Sequence, residues 1–114
     1  MQQSLIQPKL VLPEEAFVES VMKHIETGYT NKAFNTEVLA EIMGVSAKQL
    51  IRKCKAVLNS HPEQLIENYR LRKARLMFNS GATSVTETAT AVGFTDVDRF
   101  VKQYNSVFSE NIKK

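Results

Sequence analysis

The sequence predicts an all-α fold of two helix-turn-helix subdomains joined by a long linker helix. Three observations carry that prediction. Apolar residues recur at three- and four-residue spacing along most of the chain, the signature of amphipathic helices rather than strands. Helix starts and stops are punctuated by Asn, Ser, Asp and Pro before each run and Gly after it. The pattern of residues 35–58 also returns, nearly position for position, at 84–108.

With 114 residues, the chain has room for one domain or two very small subdomains. Residues 1–12 show no helical period, contain Pro8, and read as a linker or a vector-derived start. The domain proper is expected over 13–114, split into a first subdomain (13–61), a linker helix (62–80) and a second subdomain (81–114). Pro13 suits a first helical turn, and Phe17, Val18, Val21, Met22 and Ile25 recur at helical spacing until Gly28 stops the run. This helix is expected to lie beneath the pair that follows.

Asn35 is a good N-cap, Glu37 suits the positive end of the helix dipole, and Phe34 and Leu39 can close a hydrophobic staple. Leu39, Ile42 and Met43 are expected on one face, with Ala40 small enough to admit a crossing helix. Gly44 can take the positive φ that ends the helix. Two residues later Ser46 caps the next one, with Gln49 as capping-box partner and Val45–Leu50 as a second staple. Leu50, Cys54, Val57 and Leu58 form its inner face, leaving Lys48, Ile51, Arg52 and Lys55 pointing outward.

Asn59 can adopt the left-handed conformation, and His61-Pro62 opens a long helix to about Asn79, stopped at Gly81. Its apolar groups change face halfway. Leu65, Ile66 and Tyr69 lie on one side, and Leu71, Ala74, Met77 and Phe78 lie about 145° around. A helix of that kind bridges two small cores. Residues 84–87 then read as a capping box, Val85, Ala89 and Val92 are apolar, and Gly93 ends the helix. Asp96 caps the last helix, which is expected to turn Phe100, Tyr104, Val107 and Phe108 inward. Inner positions 50, 54, 57 and 58 thus return as 100, 104, 107 and 108. Ala40 and Gly44 return as Ala89 and Gly93.

Charge is concentrated rather than large. Residues 1–45 carry three basic and six acidic groups, 46–75 carry eight and two, and 76–114 carry four of each. The balances are −3, +6 and 0, adding to the net +3 of the whole chain. A cluster of this kind is the electrostatic footprint of a polyanion binder, although a solvated helix face would look the same by charge alone. Cys54 is the single cysteine, which excludes an internal disulfide and a multi-cysteine metal site and favours a buried, unreactive role. His24 and His61 stand apart from other ligand-type residues, and no carboxylate pair or Gly-rich phosphate loop is present, so no enzyme, metal or cofactor is expected. No run approaches the roughly 18 apolar residues of a membrane span. With no leader-like start, a cytoplasmic location without membrane contact is expected.

Three stretches resemble the C-terminal DNA-binding domain of the AraC/XylS family of bacterial transcription regulators. They are LAEIMGVSAKQLIRKCK (39–55), YRLRKA (69–74) and ATAVGFTDVDRF (89–100), the last holding a Gly-Phe-x-Asp-x-x-x-Phe signature. The likeness spans about residues 13–112. It implies homeodomain-like three-helix units and a regulator that reads two successive major-groove segments of double-stranded DNA.

Carried over by position, base contacts fall to Lys48, Ile51 and Arg52 in the first unit and to Asp98, Arg99 and Lys102 in the second. Arg52 suits a guanine edge and Ile51 a thymine methyl, while Asp98 suits a cytosine amine or the support of Arg99. Ser46, Lys55 and Arg70 are the phosphate candidates. RNA polymerase and an N-terminal sensor or receiver domain are the protein partners the resemblance implies. The chain departs from the family pattern at Cys54, Thr88, Tyr104, Asn105 and residues 109–112, mostly in the second unit. With its neutral charge balance, that unit is expected to bind DNA more weakly. The alternative is a protein-interaction module in which a degenerate second unit docks on polymerase or another regulator.

Overall fold

A computed structural model describes residues 13–114, so the linker reading of 1–12 lies outside the described residues. Six helices follow in order: α1 (Pro13–Gly28), α2 (Thr36–Met43), α3 (Ala47–Leu58), α4 (Pro62–Asn79), α5 (Val85–Ala91) and α6 (Val97–Phe108). There is no strand among the described residues.

Local chemistry sets the helix boundaries. The Asn35 side chain accepts from Val38 N, Ser46 and Gln49 form the full reciprocal capping box, His61 accepts from Glu63 N, and Asp96 accepts from Arg99 N. Each of these satisfies an amide that the helix itself cannot pair. Ser84 accepts from Glu87 N, which is the Ser half of the box expected there. Gly44 (φ 74°) and Asn59 (φ 54°) close their helices in the left-handed region, as expected. Ser109 does the same at φ 53°, a position the sequence did not mark.

Two separate cores form, and α4 contributes to both. The first gathers Val21, Ile25, Phe34, Leu39, Ala40, Leu50, Cys54 and Ile66, with Leu65 and Tyr69 at its edge. The second gathers Leu71, Ala74, Ala89, Val92, Phe94, Phe100 and Tyr104, with Met77, Phe78 and Phe108 packed against it. The change of face along α4 therefore does what its apolar pattern implied.

Three apolar expectations need correction. Ile42 is 51% exposed; α2 buries Thr36, Leu39 and Ala40, and Ile42 lies about 110° from the centre of that face. Val107 is 49% exposed, because α6 turns Phe100, Tyr104 and Phe108 inward and Val107 falls about 100° behind Phe108. Val45 is 40% exposed and adds little to the second staple.

Candidate nucleic-acid interface

On α3, burial of Leu50 and Cys54 against the first core fixes the helix's rotation. Lys48, Arg52 and Lys55 are consequently exposed, and Ile51 is half-buried beside them. None of the three cations has a hydrogen-bond or ion-pair partner among the described residues. Ser46 is exposed at the helix start, but its hydroxyl accepts from Gln49 N (3.1 Å) and faces Gln49 Oε1 (3.3 Å), so it is already part of the capping box. Lys53 is turned away from this group, with its ammonium 5.1 Å from the centre of the Phe17 ring.

The corresponding face of α6 is differently arranged. Arg99 makes a forked pair with Glu67 of α4, Nε to Oε2 at 3.0 Å and Nη2 to Oε1 at 3.4 Å. Asp98 does not support Arg99; it pairs with Lys114 Nζ at 2.6 Å. The carboxylate that supports Arg99 is Glu67, a residue that carries no local mark, because the pair spans 32 positions. Lys102 is exposed and has no such partner among the described residues.

The assignment of Arg70 to phosphate is corrected by its surroundings. Its side chain is buried, with Nε donating to the Tyr29 carbonyl at 2.9 Å and Nη2 donating to those of Asn31 (3.0 Å) and Phe34 (3.2 Å). Burial lowers its pKa, opposed by the charges of Glu63 and Glu67. A guanidinium holding three carbonyls has no fork left to offer a phosphate.

The rest of the basic cluster is also partly occupied. Arg72 and Lys73 lie over the Tyr69 ring at 5.7 and 5.5 Å. Arg75 pairs with Glu110 at 3.3 Å and stacks on Phe108 at 4.4 Å. The +6 of residues 46–75 thus divides between the open α3 face and groups tied down on α4. Among the described residues there is no metal-ligand cluster, and no helix is long and apolar enough to cross a membrane.

Asn105, where the family has a basic residue, proves structural. Its amide donates to Ile112 O (3.1 Å) and accepts from Ile112 N (2.8 Å), clipping residues 109–112 back onto α6.

Two cores bridged by one helix, each carrying a capped helix behind a short turn, define a double helix-turn-helix DNA-binding domain. A family model described as a helix-turn-helix domain matches residues 39–114, and the chain belongs to the AraC/XylS-type family of DNA-binding transcription regulators. Among solved structures, the C-terminal domain of the two-component response regulator yesN from Fusobacterium nucleatum superposes with a TM-score of 0.78 at 25% identity, covering 84% of this chain and 93% of that one. A probable AraC family transcriptional regulator from Rhodopseudomonas palustris gives 0.73 at 25% identity over 82% and 88%.

Two curated relatives are each 26% identical over 97 residues, 85% of this chain. They are Histidine kinase P4 of Formosa agariphila and the HTH-type transcriptional activator RhaS of Pectobacterium carotovorum. The chain spans 7% of the length of the first and 34% of the second.

Proposed function

We propose that this domain reads two successive major-groove segments on one side of double-stranded DNA, with α3 as the anchor and α6 as the weaker reader. The observation that carries this reading is the contrast between the two faces. Lys48, Arg52 and Lys55 stand exposed and unpaired around Ile51, whereas Asp98 and Arg99 are held in ion pairs.

A short helix with that composition fits the major groove. Arg52 addresses a guanine edge, Lys48 a guanine or phosphate, Ile51 a thymine methyl, and Lys55 a phosphate. In the second segment Lys102 is ready for contact, and Arg99 arrives already oriented by Glu67. Asp98 holds Lys114 through Oδ1 and has Oδ2 left to accept from a cytosine amine. The amides at the start of α3, beside Ser46, add a site for phosphate.

The chain's relatives include a response regulator and a histidine kinase much longer than this chain. On that likeness a sensor or receiver domain is proposed as one partner, and RNA polymerase, which the likeness does not address, as another.

Selection of bound duplexes from a random pool tests the reading. The expected product is a pair of sequence motifs about one helical turn, ~34 Å, apart. Enrichment of a single motif would reduce the reader to one unit. No binding at either low or moderate salt would instead make the fold a protein-interaction module.

A further inference from the structure

We propose that Arg70, with Gly93 packed against it, is the joint that fixes the separation of α3 and α6, and so sets which spacing of DNA half-sites the domain accepts. This rests on the two-segment reading above.

A linker helix alone would leave two small units free to tilt about its ends. Here one face of α4 ties them to each other. Glu63, Glu67 and Arg70 lie at i, i+4 and i+7, a single stripe along the helix. Glu63 accepts from the Thr36 hydroxyl of α2 at 3.2 Å. Glu67 holds Arg99 of α6 at 3.0 Å. Arg70 holds the carbonyls of Tyr29, Asn31 and Phe34, the loop that carries the chain from α1 into α2. The stripe therefore reaches the first unit twice and the second unit once.

The second unit also touches this joint directly. Gly93 ends the turn after α5 at φ 99°. A Cβ there would overlap the Tyr29 carbonyl oxygen and fall 2.7 Å from Arg70 Nε. Three segments far apart in sequence thus meet at one guanidinium: the loop after α1, the middle of α4 and the turn before α6. The Tyr29 ring packs at the edge of both cores and meets Tyr69 edge-on at 5.1 Å. Arg is the side chain suited to the position, because its rigid planar fork can hold several carbonyls in one geometry. Arg70 is a positioning residue in this scheme, acting through the spacing of the two recognition helices without touching DNA.

The test uses the 114-residue chain and a duplex selected from the random pool, together with versions carrying one or two extra base pairs between the motifs. One insertion shifts the second motif by about 3.4 Å and turns it by about 35°. The wild type should lose about tenfold or more in affinity. Arg70→Met should bind the parental spacing more weakly and separate the spacings by less than about threefold, with base preference inside each motif unchanged. Gly93→Ala should show the same loss of discrimination by wedging the joint from the other side, and Arg70→Lys should recover part of it. Folded Arg70→Met and Gly93→Ala proteins that keep the wild-type ratio would overturn the proposal.

Should those variants fail to fold, spin labels at Ala56→Cys and Ser106→Cys in a Cys54→Ala background measure the intact joint. One narrow distance distribution in the DNA-free protein supports it, and a broad one overturns it. A wild type that binds no duplex, or all spacings equally, would sink the two-segment reading, and the distance distribution would then decide the joint by itself.

Discussion

The two helix-turn-helix units share a plan and differ in what fills it. In the first, α3 packs Leu50 and Cys54 against Val21, Ile25, Leu39 and Ile66, an aliphatic core closed from below by the sixteen-residue α1. The second has no counterpart of α1 beyond the later half of α4. Its core is instead aromatic: Phe94 and Phe100 meet edge-on at 5.1 Å, Phe78 and Tyr104 at 5.5 Å, and Tyr104 and Phe108 at 4.7 Å. With one fewer helix to supply apolar area, larger side chains make up the volume. Cys54 and Tyr104, at equivalent positions in the repeat, show the exchange most clearly: a small side chain in the core that four helices line, and a large one in the core that three line.

The largest expected effect comes from breaking the aromatic core. Phe100→Ala removes a fully buried ring that touches Phe78, Phe94 and Tyr104, and should cost about 3–5 kcal/mol of stability. Chemical denaturation followed by far-UV circular dichroism measures it. Cys54→Ala, the smaller deletion in the aliphatic core, should cost on the order of 1 kcal/mol. Equal losses at the two positions would show that the cores do not differ in this way.

Next in size is the division of labour on DNA. Arg52→Ala should cost about 1–3 kcal/mol of binding and relax preference at one base pair. Arg99→Ala should cost less, because Nε and Nη2 already hold Glu67 and less of the guanidinium is left for DNA than at the unpaired Arg52. Fluorescence anisotropy on the selected duplex and on single-base variants gives both numbers. A greater loss at Arg99 than at Arg52 would move the anchor to the second unit. Smaller again, Lys55→Ala should weaken binding evenly across sequences and reduce the slope of log affinity against log salt by about 1.

What the sequence could show of this arrangement follows the range of the interactions. The caps at Asn35, Ser46, His61 and Asp96 reach only two or three residues and were readable directly. The exchange of faces along α4 was readable too, because helical periodicity is local. Arg70 was misread because the carbonyls that bury it lie 36 to 41 positions away; the one local mark was its register, between Ile66 and Ala74 at i−4 and i+4, where the exposed Arg72 has Asn68 and Leu76. Glu67 escaped for the same reason, its partner being 32 positions on. Ile42 and Val107 failed differently. Both lie at the edge of an apolar stripe, where a rotation of a few tens of degrees decides exposure and only the packed neighbour sets that rotation.

The smallest effect separates the units by pH. Cys54 lies in the first core with no exposed surface, and burial pushes its thiol above the ordinary value because the thiolate would lose its hydration. The unfolded chain then releases this proton at a lower pH than the folded one. Below the unfolded cysteine value of about 8.5 both states carry the proton, and the preference for the neutral thiol is fully in place. As pH rises beyond it, the unfolded state binds fewer protons than the native state, so stability falls with pH until the folded thiol also ionises. Melting temperatures between pH 7 and pH 9.5 should therefore drop more for the wild type than for Cys54→Ala. Alkylation of Cys54 by iodoacetamide should proceed only as fast as the first unit opens, since the thiolate is the reactive form and is disfavoured while the core is closed. Rapid alkylation of the native protein, with equal pH dependence in the two proteins, would mean that the first core is open at α3 and that its aliphatic packing does not hold the recognition helix in place.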